Sequence, residues 1–160
     1  MGKKINLAEV IPLFFIYGFI ALTIHEYGHL ISMKFLGVSG YISSNYVDRV
    51  FFEVFPQDPN VRFIIGFAGG LAVIIIFGVL YLLDSDLENR FLYFAFIGSN
   101  LIYGVCEALA VRDLRPELMT WGSNLGMVFI IIYIIINAVS GKLDVFIGNK
   151  DQSSDEATQG

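Results

Sequence analysis

Four long apolar runs, separated by short polar stretches, organise the chain. The first extends from about Leu7 to Leu36, and besides tyrosine its only ionisable groups are Glu9, His25, Glu26, His29 and Lys34. At about 1.5 Å per residue a helix over this run measures about 45 Å, so it spans a bilayer with excess, tilts, or breaks near Gly18 or Gly28. The second run, Val61 to Leu83, carries one charge, Arg62, at its edge. The third, Phe91 to Val111, contains a single interior acid, Glu107, and the fourth, about Trp121 to Val139, has no charge at all. Charge-poor runs of roughly 18 or more residues are candidate membrane helices. The pattern therefore predicts an all-α, multi-pass integral membrane protein with about four transmembrane helices, and residues 1–141 read as one membrane-embedded domain.

The connections differ in character. Residues 37–60 hold Gly37, Gly40, Pro56 and Pro59 around two β-leaning stretches, Tyr41–Ser43 and Val47–Phe55. The second is rich in Val and Phe, which suit strands, so a short hairpin or lone strand is expected after the first helix, near the membrane surface. Residues 84–90 read as a polar turn. Residues 112–120, with Pro116 and four charges, read as a loop or a short interfacial helix. From Lys142 the chain turns polar, and residues 142–160 are expected to form a mostly disordered acidic tail. Lys3 and Lys4 precede the first apolar run as in a secretory signal, but the run is too long and lacks a small-residue cleavage site.

Composition narrows the class. The chain is 56% hydrophobic and 16% charged, against about 25% charged for a soluble domain. A net charge of −5 excludes a nucleic-acid binder, which needs a basic surface. One cysteine, Cys106, cannot close an intrachain disulfide. Four spans put both termini on one side, and the basic residues then divide evenly: Lys3, Lys4, Arg90, Lys142 and Lys150 against Lys34, Arg49, Arg62, Arg112 and Arg115. The positive-inside rule selects no orientation from such a balance, and the oligomeric state is equally unmarked.

Chemistry concentrates in one place. Residues 25–29 read His-Glu-Tyr-Gly-His, an H-E-x-x-H motif that contains both histidines of the chain. Four residues apart on a helix, the two imidazoles lie on one face and can reach a single ion. Zn²⁺ is the ion expected, because it takes imidazole and carboxylate in a tetrahedron. Glu26 lies next to the first ligand, turned about 100° around the helix, where it can act as general base on a water activated by the metal. The plain alternative is a pair of core histidines hydrogen-bonded within a helix bundle, with Glu26 bonded to a neighbouring helix. Ionisable groups inside a membrane are costly and functional by default, which favours the metal.

A third protein ligand must come from another helix. Glu107 is the only acid inside spans two to four and shares a helical face with Asn100, Tyr103 and Gly104, which makes it the first choice. Asp113, at the helix end, is the alternative; Cys106 is a good ligand type but points about 100° away from Glu107. Gly28 invites close approach of helix two or of a substrate. Gly66 and Gly70, and likewise Gly122 and Gly126, form G-x-x-x-G surfaces suited to helix packing.

Together these residues resemble the site-2 protease family of intramembrane zinc metallopeptidases. The His25–His29 motif resembles that family's membrane-embedded H-E-x-G-H, Ala68-Gly69-Gly70-Leu71-Ala72 its small-residue motif on a following helix, and Asn100 to Glu107 its distal Asn-Leu segment leading to an acidic zinc ligand. The likeness extends from about residue 15 to 112. Two features depart from the family: Glu107 stands where Asp, often followed by Gly, is usual, and the glycine motif lacks its common proline.

The resemblance implies hydrolysis of peptide bonds in or near the bilayer, with zinc on His25, His29 and Glu107. It makes Glu26 the residue that activates water and passes the proton to the leaving amine. Asn100 would donate to the developing oxyanion or to the substrate backbone. The implied partners are a membrane protein or peptide substrate and the lipid bilayer. A membrane helix must unwind before attack, and an extended substrate could then add to the Val47–Phe55 strand. Two other readings compete. One is a non-catalytic metal-binding membrane scaffold or inactive protease relative, in which Glu26 has no evident use. The other is a transporter or proton relay, which the nearly featureless second and fourth helices disfavour.

Overall fold

The computed structural model describes residues 4–43 and 49–144. Four helices, α1 (Leu7–Phe35), α2 (Pro59–Leu83), α3 (Leu87–Asp113) and α4 (Glu117–Val139), account for most of them. All four are long and apolar enough to cross a membrane, and a small two-stranded sheet follows the first, as the pattern of the sequence predicts. α1 is continuous through Gly18 and Gly28. Neither glycine breaks it, and its 29 residues make a rod about 44 Å long.

Helix starts follow from local side-chain chemistry. Asn6, Asp58 and Asp86 each accept a hydrogen bond from the backbone N–H two residues on, the geometry of an N-cap. Pro59 occupies the first position of α2, where its missing N–H costs nothing. The cap at Asp86 moves the start of α3 ahead of Phe91, so the expected polar turn at 84–90 shrinks to residues 84–86. Likewise the stretch 112–120 contains no separate interfacial helix: α3 runs to Asp113, and Glu117 to Thr120 are the first turn of α4. Charged residues in terminal turns, whether exposed like Glu117 or buried like Glu88, blur the ends of an apolar span in the sequence.

Strands β2 (Gly40–Ser43) and β3 (Arg49–Phe52) pair antiparallel with Ile42 opposite Val50. They form a hairpin at the end of the bundle where α1 and α3 finish and α2 and α4 begin. Val47 and Asp48, expected in the second strand, lie outside the described residues. At the opposite end β1 (Ile5–Asn6) pairs in parallel with β4 (Leu143–Asp144). The polar stretch from Lys142 thus opens with a buried apolar residue, Leu143; residues 145–160 lie outside the described residues.

Two kinds of packing hold the helices. Away from the hairpin, aromatic rings interlock around the fully buried Phe77, with Tyr93 and Phe96 at centroid distances of 5.5 and 5.6 Å. Nearer the hairpin, glycines bring backbones together. A Cβ placed on Gly70 would lie 2.7 Å from the Asn100 carbonyl oxygen and 2.9 Å from Gly104 Cα. One on Gly66 would lie 2.8 Å from Ala108 Cα. Gly28 packs on α2, not on an open space left for a substrate: its Cβ position is 2.6 Å from the Ala68 carbonyl oxygen.

Gly70→Val is expected to force α2 off α3 and to destabilise the fold by about 3 kcal/mol or more, as overpacking against backbone does. Gly78→Ala, on the same helix but with nothing within 4 Å, should be neutral or stabilising by up to about 1 kcal/mol. Thermal unfolding of both variants in detergent checks the contrast, and equal stability would refute the close-approach account.

Candidate metal centre

The structure brings both histidines of the motif against the acid of the third helix. His25 Nε2 lies 2.8 Å from Glu107 Oε2, His29 Nε2 lies 3.4 Å from the same oxygen, and the two Nε2 atoms are 3.0 Å apart. All three side chains are buried. Helix periodicity supplies the first two from α1, one turn apart. Glu107 is held opposite them because Gly66 and Gly70 let α3 approach α2 closely at Ala108 and Gly104, on either side of it.

These residues fit a metal ion on three counts. First, the donor chemistry is right: two imidazoles and a carboxylate, a set that Zn²⁺ accepts. Second, the triangle they form has edges near the roughly 3.3 Å that separates ligands around a tetrahedral ion at Zn–N and Zn–O distances. Third, the imidazole of His29 is fixed from behind. Its Nδ1–H donates to the Ile65 carbonyl oxygen at 2.6 Å, because a carbonyl can only accept. In the neutral ring this leaves the Nε2 lone pair facing the centre, the arrangement by which an outer partner orients a metal-binding histidine.

Gly69 completes the cradle. A Cβ there would sit 2.5 Å from His29 Nε2 and 2.7 Å from His25 Nε2, so even alanine would push into the donor atoms. Consecutive glycines thus do different work: Gly70 seats α3, and Gly69 gives the imidazoles room.

Glu26 is placed beside the group without joining it. One carboxylate oxygen accepts from the Val50 N–H of β3 at 2.9 Å, which ties the motif helix to the hairpin. His25, Glu26, His29, Asn100 and Glu107 all line one cleft of about 890 Å³, walled by α1 and α4 and floored by α3. Asn100 stands on that floor, while its side-chain amide donates to the Phe96 carbonyl of its own helix. The other two ligand candidates lie elsewhere. Asp113 pairs with its neighbour Arg112 at 2.7 Å, and Cys106 faces α4, where its Cβ meets Gly122. Among the described residues, His25, His29 and Glu107 are the one group of three able to hold an ion.

Some contributors carry no signature in the sequence. The Ile65 carbonyl and the Val50 N–H are backbone groups, invisible to any residue pattern. Gly69 was foreshadowed by its place in a run of small residues, since two adjacent glycines face two neighbours. Arg62, an unremarkable charge at a span edge, donates to the Arg112 carbonyl at 2.7 Å and to the Pro56 and Gln57 carbonyls at 3.2 Å. It fastens the hairpin's exit to the end of α3, satisfying a helix-terminal carbonyl with a cation.

No protein-family model matches the chain, and neither a curated protein nor a solved structure matches it.

Gly69→Ala is expected to weaken Zn²⁺ binding about 100-fold, the upper range for loss of an outer support of a metal site, and Glu107→Ala to abolish it. Elemental analysis after equilibrium dialysis measures both. Undiminished zinc in Gly69→Ala would show that the ion is held elsewhere.

Proposed function

We propose that the chain is an intramembrane zinc metalloprotease of the site-2 protease type, cutting peptide bonds in or beside the bilayer. The observation that carries this reading is the convergence of His25, His29 and Glu107 with Glu26 alongside, in one cleft that opens between two apolar helices. Zn²⁺ held there supplies Lewis acidity, making a water easier to deprotonate and a carbonyl easier to attack.

The residues of the chain do the rest. Glu26 takes a proton from the attacking water and delivers it to the leaving amine. The Val50 N–H occupies one carboxylate oxygen and aims the group, leaving the other for the proton. Asn100 orients substrate from the cleft floor. The hairpin offers an extended peptide a place to pair. Since Val50 turns its N–H away from β2 toward Glu26, alternation along the strand turns the Phe52 backbone outward as well. That edge of β3 lies next to the site and can take an added strand.

The Glu26–Val50 hydrogen bond also favours a second reading, a metal-binding scaffold in which Glu26 serves only to anchor the hairpin. One variant separates the two. Glu26→Gln keeps an acceptor oxygen for Val50 and should retain zinc near one per chain, yet lose at least about a hundredfold in peptide cleavage, the usual minimum for removing a general base. Zinc-loaded protein that cleaves no peptide from a broad library, with or without Glu26, would establish the scaffold.

A further inference from the structure

α4 carries a polar stripe with no part in the metal group. Thr120, Ser123 and Asn124 recur at offsets of three and four, so they share one side of the helix. All three are exposed, and all three line the cleft that holds the metal group. The other sides of α4 are apolar or packed. Gly122 and Gly126 press on Cys106 and Ser99 of α3. Trp121, Leu125 and Ile132, 49 to 65% exposed, lie outside the cleft lining.

The stripe stands level with the metal group. Glu107 is six residues from the end of α3 and Ser123 six from the start of α4, with Gly122 packed on Cys106 between them. At about 1.5 Å per residue both lie about 9 Å inside the helix ends.

Hydroxyls and a carboxamide at this level are costly without hydrogen-bond partners. α4 confines all three to the cleft side and gives its outer side only apolar groups. An occupant that displaces water from the cleft must therefore offer hydrogen bonds itself. An intact membrane helix cannot, because its ladder satisfies its own N–H and C=O groups. An extended chain can, offering one of each per residue, and a carboxamide is both donor and acceptor, as a peptide group is. From Thr120 to Asn124 and one turn beyond, the wall is about 11 Å long. That is about three residues of extended peptide at about 3.3 Å each.

We propose that Thr120, Ser123 and Asn124 form a wall that binds the main chain of about three extended residues of a peptide lying in the cleft, and so selects an unwound segment over an intact membrane helix. The substrate class rests on the peptidase reading; the selection itself requires no cleavage.

Disulfide capture in lipid nanodiscs tests the wall. In a Cys106→Ser background, single cysteines are introduced as Met127→Cys, which lines the cleft beside the three wall residues and leaves them intact, and as Leu125→Cys on the outer side. The probes are two synthetic poly-leucine membrane peptides with a central cysteine. One carries an adjacent Asn-Gly pair that unwinds the helix, and the other is uninterrupted. Met127→Cys should capture the interrupted peptide about tenfold better than the uninterrupted one, the weight of about one main-chain hydrogen bond, and Leu125→Cys should not discriminate. Met119→Cys, also in the cleft lining, repeats the measurement if Met127→Cys does not fold. Equal capture of both peptides at the wall would overturn the proposal, as would Met127→Cys protein linking to a second copy of itself without peptide. Selective capture by protein that cuts neither peptide would sink the peptidase reading and leave the wall standing. Cleavage without selective capture would do the reverse.

Discussion

Everything in the site depends on how closely α2 approaches its two neighbours. Lipid tails are as apolar as the side chains between helices, so association inside a bilayer rests on close packing and on hydrogen bonds between helices. α2 meets that demand on several faces within five residues. Ala68 receives Gly28 of α1, Gly66 and Gly70 receive Ala108 and Gly104 of α3, and Gly69 faces the imidazoles. Add one methyl group at Gly28, Gly66 or Gly70 and a ligand-bearing helix must move; add one at Gly69 and the imidazoles must. The three donor atoms meet because α2 holds α1 and α3 near each other without intruding between their ligands.

The same segment sets the tautomer of His29. One turn before Gly69, the Ile65 carbonyl accepts a hydrogen bond from His29 Nδ1–H. Buried charge demands a partner, and the environment offers Glu107 two imidazoles. In neutral form these present lone pairs as well as one proton to share. A divalent cation answers all three groups at once, which is the physical case for an ion rather than a plain polar network. The hairpin is coupled to this centre at two points, through Glu26 to Val50 and through Arg62 to the end of α3.

The sequence made the large features legible and the small ones obscure, for identifiable reasons. Four spans stood out because 18 apolar residues in a row have few other uses. The convergence of His25, His29 and Glu107 was readable because acids and histidines are scarce enough in these spans to leave few combinations. Helix ends were less visible: the aspartate that caps α3 reads like any loop residue, and Leu87 to Arg90 read as part of a turn. The β1–β4 pairing could not be foreseen, since two residues per strand carry no periodicity. The stripe on α4 was hidden for another reason. Thr, Ser and Asn carry no charge and so leave a charge-poor run unbroken, and only the cleft reveals that they face one way.

That short parallel pairing reaches further than its size suggests. The Ile5 N–H donates to the Lys142 carbonyl at 2.9 Å, so the start of α1 is stitched to the chain just past α4. These are the two helices that flank the cleft. Rods joined at one end part most at the other, as the arms of tweezers do. The stitch lies at the end remote from the hairpin, so any widening between α1 and α4 is greatest beside the hairpin, where the imidazoles sit.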